Sequence, residues 1–374
     1  MTHKHGGDIY SYHDIKDFSA NINFCGMPSS VREAAITAVD ESIHYPDPEC
    51  RSLRTALAER EKKLYAAVLP EHIICGNGAA ELFYALAGAF RPEHALLAVP
   101  SFYEYEQALG AFGCKITRFP LNPEDSFSLG EAFLNAVSAF AGQFSSRRLM
   151  IILGNPNNPT GSVIETVVLR ALIRLCGSAH ILLVLDESFL DFLDEADQKK
   201  TISGAVKVPD DPNLFVIRSF TKIYALPGIR FGYGLCSDQK LLVQMRMLVQ
   251  PWNVSHVAQK AAEAAASECE FARMSAEVIS QNRQSLICAL QDAGLTVFPA
   301  AANFLLVRGP EGLKDACLKY GILIRDCGNF PGLEFSGDGR GYFRVCVRSQ
   351  AENEELVKVI RQCLEECDKW QKQS

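Results

Sequence analysis

Short, nearly unbroken apolar runs alternate with longer segments of helical period through the first two thirds of the chain. Residues 95–100 (ALLAVP), 149–156 (LMIILGNP), 180–188 (HILLVLDES), 213–219 (NLFVIRS) and 231–237 (FGYGLCS) end in polar or turn-forming residues. Runs of this length without polar alternation read as strands buried on both faces. Helix-length amphipathic segments lie between several of them, such as 165–176 (ETVVLRALIRLC). The alternation predicts an α/β fold, a mostly parallel sheet with helices on both faces. Open sheets of this kind bind ligands at the carboxyl ends of their strands.

The texture changes after residue 250. A long alanine-rich stretch (254–294) reads as helical, and 294–309, 321–330 and 341–349 then read as strands. A closing helix starts at SQAE, where Ser349 and Glu352 have capping-box spacing. The expected organisation is an N-terminal arm (1–30) that joins the small domain and covers the site, a large domain (31–249) and a smaller α+β domain (250–374).

Composition narrows the function. The chain has 374 residues, 48% of them hydrophobic, and a net charge of −7, which argues against a nucleic-acid footprint. No apolar run reaches the ~18 residues of a membrane span, and the first residues lack the apolar stretch of a secretory signal. Thirteen cysteines are scattered from Cys25 to Cys367 without a CxxC pair or zinc-finger spacing. They read as reduced thiols in a cytoplasmic protein, and no metal site is expected.

Four stretches carry candidate chemistry, each with a plainer reading of its own. GNGAAELFYALAGAF (76–90) is a glycine turn feeding a helix. The free N–H groups and dipole at such an N-terminus suit a phosphate, although many turn–helix junctions bind nothing. NPNNPTG (155–161) follows a buried strand and by itself is a proline-rich turn. Asp186 closes the run ILLVLDE, where an acid can simply meet solvent or cap a helix. In SFTKIYALPGIRFGYG (219–234), Lys222 stands beside Ser219 and Thr221, ahead of a glycine-rich turn and Arg230. A surface lysine needs no such company, whereas a lysine facing a phosphorylated carbonyl cofactor uses all of it.

The order of these pieces, with an aromatic strand end (PSFYEY, 100–105) between the first two, resembles the fold-type I pyridoxal-phosphate enzymes. This is the aspartate aminotransferase superfamily, and in particular its histidinol-phosphate aminotransferase branch, with the resemblance running over almost the whole chain. The resemblance implies pyridoxal 5′-phosphate as cofactor. It makes Lys222 the covalent anchor for the cofactor aldehyde and Asp186 the partner of the ring nitrogen. It places Asn158 on the ring oxygen and Phe102 on the ring face. Gly78, Ala79, Ser219, Thr221 and Arg230 would hold the cofactor phosphate, and Tyr45, in HYPDP, would reach the phosphate of a neighbouring subunit in a homodimer. Arg344 corresponds to the family arginine for a substrate carboxylate, a task suited to a bidentate fork. Arg325 and Arg348 are candidates for a second anionic group, with Arg348 the weaker match.

A second set of motifs refines this. HGGD, DFSANIN, DESFLDF, RSFTKIYALPGIRFGY, PWNV and CGNFPGL resemble the L-threonine-O-3-phosphate decarboxylases, a cobalamin-pathway family. Phe189 stands where the aminotransferases usually have tyrosine. Phe24-Cys25, Ser188 and Phe330 depart from the decarboxylase pattern of Pro-Leu, Ala and Tyr. The resemblance implies that threonine phosphate loses CO2 to give 1-aminopropan-2-ol phosphate, with Lys222 returning a proton to Cα. His5, the Gly6 and Gly7 amides, Asn23, Asn158 and Arg325 would join Arg344 around the substrate. Serine phosphate, smaller by one methyl, stays open as a second substrate. Neither nucleic acid nor membrane is an expected partner. The alternatives are a histidinol-phosphate-type aminotransferase and a protein that binds the cofactor without turnover.

Overall fold

In a computed structural model, which describes residues 5–334 and 337–371 and side chains as far as residue 366, a seven-stranded sheet organises the chain. Its spatial order is Ile73–Gly76, Gly232–Leu235, Leu214–Ser219, Leu182–Asp186, Leu149–Gly154, His94–Val99 and Lys115–Pro120. Gly232–Leu235 runs antiparallel to both neighbours, and all other pairings are parallel. The apolar runs are continuous because both faces are buried. Leu149, Ile151 and Leu153 belong to one hydrophobic cluster, and Met150 and Ile152 to the cluster on the opposite face. The edge strand Lys115–Pro120 has no buried residue, only exposed and half-buried ones, and so no apolar run announces it.

The alanine-rich stretch is helical, with one interruption. It forms two helices, His256–Ser267 and Cys269–Asp292, separated at Glu268, where ψ turns to +41°. Tertiary contacts hold the break: Tyr224 donates to the Glu268 carbonyl (3.3 Å) and Arg60 to Cys269 Sγ (3.2 Å). The first helix packs on Ser29–Asp40 and Arg51–Leu64, and the second on the closing helix Gln350–Gln371. Ser349 and Glu352 meet in one half of the expected capping box: the Ser349 amide donates to the Glu352 carboxylate (3.3 Å), while the Ser349 hydroxyl donates to the same carboxylate (2.5 Å).

A second, antiparallel sheet is ordered Arg325–Asp326, Arg340–Cys346, Phe304–Pro310, Thr296–Val297. The N-terminal strand Lys16–Asp17 pairs parallel with Ile322–Leu323. Chain from the two ends of the sequence is thereby stitched together beside the cleft.

Candidate active site

The chemistry-bearing residues meet where the strands of the large sheet end. Asp186 and Ser219 are the last residues of adjacent strands, and Lys222 lies in the single helical turn Phe220–Ile223 that follows. Asp186 and Lys222 line a cleft of about 590 Å³ together with Ala79, Phe102, Asn158, Thr221, Arg230, Arg325 and Arg344. Lys222 Nζ donates to Thr221 Oγ1 (3.0 Å), which shares a 2.6 Å hydrogen bond with Ser219 Oγ. Burial lowers the Lys222 ammonium to a pKa of about 8; Arg230 and Arg344 push the same way and Asp186 opposes them. An amine so tuned becomes a competent nucleophile close to neutrality.

Asp186 is buried, and each of its oxygens is held. Oδ1 accepts from the Ser188 amide (3.0 Å) and Oδ2 from the Tyr105 hydroxyl (2.7 Å). Tyr105 also stands edge-on to Phe102, with ring centroids 5.6 Å apart. One buried phenol thus braces both residues that would face a cofactor ring. Its hydroxyl is pushed well above the usual phenol range by burial first and then by Asp186, which keeps it a donor. The motif reading named Phe102 and missed Tyr105. The available signal was their i, i+3 spacing, which puts two residues on one helix face.

The phosphate end also fits. Helix Ala79–Phe90 has Gly78 as its N-cap, with φ +78° and no side-chain cap, and a Cβ added at Gly78 would collide with the Arg230 guanidinium. Gly78 therefore keeps space between a helix N-terminus and a cation, the arrangement an anion needs. A carboxylate for a pyridinium nitrogen, an amine for an aldehyde, an aromatic wall and this cradle together match pyridoxal 5′-phosphate. When bound, that cofactor supplies an electron sink for a bond broken at a substrate Cα.

On the opposite wall, Arg344 and Arg325 are directly opposed in antiparallel register. Arg344 donates to Asn158 Oδ1 and to the Ser19 carbonyl (2.8 Å). Arg344 is only 6% exposed, and among the described residues no carboxylate lies within ion-pair distance of it. Burial, followed by the repulsion of Arg325, lowers its pKa to about 10. Arg325 donates to the Asp326 carbonyl and to Asn329 Oδ1 (2.8 Å). His5, Gly6 and Gly7 reach the same cleft on the N-terminal arm.

Within the cleft, two of the arm residues already have protein partners. The Gly7 amide, expected to face substrate, donates to Ser19 Oγ (2.7 Å), and His5 pairs with Glu104 (2.8 Å). Asn23 does not line the cleft; its side chain donates to the Ile223 carbonyl and its amide to the Lys222 carbonyl, tying the arm to the Lys222 turn. Arg348 is also outside the cleft, in an ion pair with Glu352 (2.7 Å) and a hydrogen bond to the Asp17 carbonyl (3.0 Å). Tyr45 is 80% exposed and stacks on Trp252, with centroids 4.6 Å apart.

This fold and site define a pyridoxal-phosphate enzyme of fold type I, and the chain belongs to the aminotransferase class I and II family, whose model it matches over residues 13–360. Within that family it is 36% identical over 372 residues to the threonine-phosphate decarboxylase of Salmonella typhimurium, covering 96% of each chain. Among solved structures it is similar to L-threonine-O-3-phosphate decarboxylase from Porphyromonas gingivalis (TM-score 0.78, 27% identity, 93% of this chain and 99% of that one). It is equally similar to the histidinol-phosphate aminotransferase from Clostridium acetobutylicum (TM-score 0.80, 27% identity, 92% and 98%).

Proposed function

We propose that the chain decarboxylates L-threonine O-3-phosphate, converting it with uptake of one proton into CO2 and 1-aminopropan-2-ol O-phosphate. The carrying observation is the Arg325–Arg344 pair facing Lys222 and Asp186 across one cleft. Two opposed guanidinium groups suit a short substrate with two anionic groups, and the energy of desolvating those charges is offset only by matched cations. Arg344, with Asn158, would take the carboxylate and orient it out of the cofactor plane. Arg325 and His5 would take the phosphate. Asp186, braced by Tyr105, would keep the ring nitrogen protonated, and Lys222 would hold and then return the proton that Cα acquires. The 36% identity to a threonine-phosphate decarboxylase supports the choice over amino transfer.

Holoenzyme incubated with threonine phosphate should release CO2 and the phospho-amine in equal amounts, with serine phosphate slower and free threonine very poor. Amino transfer to a 2-oxo acid without CO2 would instead establish the histidinol-phosphate-type reading, and binding without turnover the non-catalytic one.

The same proposal includes a homodimer in the cytoplasm. Ile43 (84% exposed), Tyr45 and Met247 (80%) are large apolar side chains open to solvent, and Tyr45 stacks on Trp252; a second copy would cover this stack while Tyr45 reaches its cofactor phosphate. Among the described residues no helix is long and apolar enough to cross a membrane.

A further inference from the structure

Ser19 is 2% exposed and joins three parts of the cleft that are far apart in sequence. Its backbone is fixed by the small sheet, because the neighbouring Phe18 donates to the Leu323 carbonyl and accepts from the Cys346 amide, both at 2.8 Å. The Ser19 hydroxyl donates to Asp17 Oδ1 (2.6 Å), which spends its single proton and turns a lone pair toward the arm. That lone pair accepts the Gly7 amide at 2.7 Å. On its other side, the Ser19 carbonyl accepts from Arg344 Nη2 at 2.8 Å. Gly6 crosses directly over this carbonyl, so closely that a Cβ at Gly6 would collide with it. One residue further out, His5 pairs with Glu104 on the helix Tyr103–Ala111, on the large-sheet side of the cleft. The arm is therefore a strap between two walls, and its inner anchorage is the residue that holds the Arg344 guanidinium.

We propose that Ser19 is a positioning residue that couples closure of the N-terminal strap to the orientation of Arg344. With the Gly7 amide latched and Gly6 seated, the Ser19 carbonyl has one position and Arg344 is aimed at the cleft. With the strap released, the carbonyl gains freedom and the guanidinium holds only the Asn158 oxygen at full strength. The proposal rests on the decarboxylase reading only for the identity of the anion that Arg344 meets; the latch itself is independent of it.

Two variants of the cofactor-loaded protein test the coupling: Ser19→Ala, which removes the latch hydroxyl, and Arg344→Lys, which leaves the hydroxyl and alters the far partner. Without substrate, amide exchange in the Gly7–Tyr10 peptide should quicken about five- to tenfold in Ser19→Ala, the worth of one net hydrogen bond. Coupling is reciprocal, so Arg344→Lys should quicken the same amides although it touches none of them. With threonine phosphate, the apparent Kd from the change in cofactor absorbance should rise about five- to tenfold in Ser19→Ala, and less than twofold further when Arg344→Lys is already present. In turnover the loss should fall mainly on KM, with kcat within about threefold. Unchanged exchange in Ser19→Ala would refute the latch. Faster exchange in Ser19→Ala alone, with Arg344→Lys silent, would refute the coupling. A wild-type protein that fails to bind or decarboxylate threonine phosphate would refute the proposed function, while the exchange results would still decide the role of Ser19.

Discussion

Arg218 and Arg344 are both almost completely buried, at 2% and 6% exposure, and the protein treats the two charges in opposite ways. Arg218, one residue before Ser219, lies beneath the site and is neutralised from within. Glu61 and Glu187 each approach Nη2 at 3.3 Å, Ser203 Oγ accepts at 3.0 Å, and the Tyr65 ring lies 4.4 Å below the guanidinium. The two acids hold its pKa well above the ordinary arginine value despite burial. Glu61 also accepts from Tyr233 (2.6 Å), and Glu187 from Ser203 (2.8 Å) and the Gly204 amide (2.6 Å). Burial pushes the Glu187 carboxyl up, while Arg218 pulls it back. Arg344 has neutral acceptors and a like charge opposite it. A buried cation surrounded by its own carboxylates serves the fold, whereas one given only amide and carbonyl oxygens stays available to an anion from outside.

The largest expected effect breaks the first half of this contrast. Arg218→Ala leaves Glu61 and Glu187 buried together without a cation and should destabilise the protein by about 3–5 kcal/mol, read as a fall in denaturation midpoint. Retention of full stability would show that the acids are protonated in the fold and need no partner. Arg344→Ala should do the reverse. kcat/KM for threonine phosphate should drop by about 10²–10³, while the denaturation midpoint stays within about 1 kcal/mol, because no buried carboxylate is orphaned.

Arg325→Ala separates the two cleft cations. It should lower kcat/KM about tenfold or more for threonine phosphate and much less for free threonine, with part of the loss in kcat, since remote phosphate binding energy also orients the carboxylate. An equal fall for both substrates would remove Arg325 from the phosphate site. The smallest effect is a pH shift. Apoprotein should capture the cofactor aldehyde, as a borohydride-reducible link to Lys222, about tenfold faster per pH unit up to about 8, because only the neutral amine attacks. Above that pH the rate should level off. Arg344→Ala removes one of the cations that depress this pKa, so its plateau should begin at higher pH. The same profile in both proteins would mean that Arg344 lies too far from Lys222 to be felt.

Much of the site was legible because its residues are local to strand ends and turns. Asp186 closes an apolar run, Lys222 follows another within three residues of Ser219, and Gly78 precedes a helix, so each position reports its own geometry. Arg348 was not legible in the same way. Its motif placed it near the substrate, yet Glu352 lies one helical turn on and captures it. The break at Glu268 was hidden because alanine-rich sequence favours helix on both sides, whereas the contacts that hold it come from other elements, through Ser30, Tyr224 and Arg60.

The amino-acid sequence alone determined the α/β class, the order of the strands along the chain and which residues stand at the strand ends that form the cleft, since hydrophobic period and turn chemistry act over a few residues. The tertiary structure decided which charges are neutralised and which remain available. Tyr105 reaches Asp186 across 81 residues, Arg218 reaches Glu61 across 157, and Arg344 reaches Ser19 across 325. No local period encodes such pairings. They exist because the sheet brings distant strand ends to one edge, where the low dielectric makes every buried charge answer to its nearest partner.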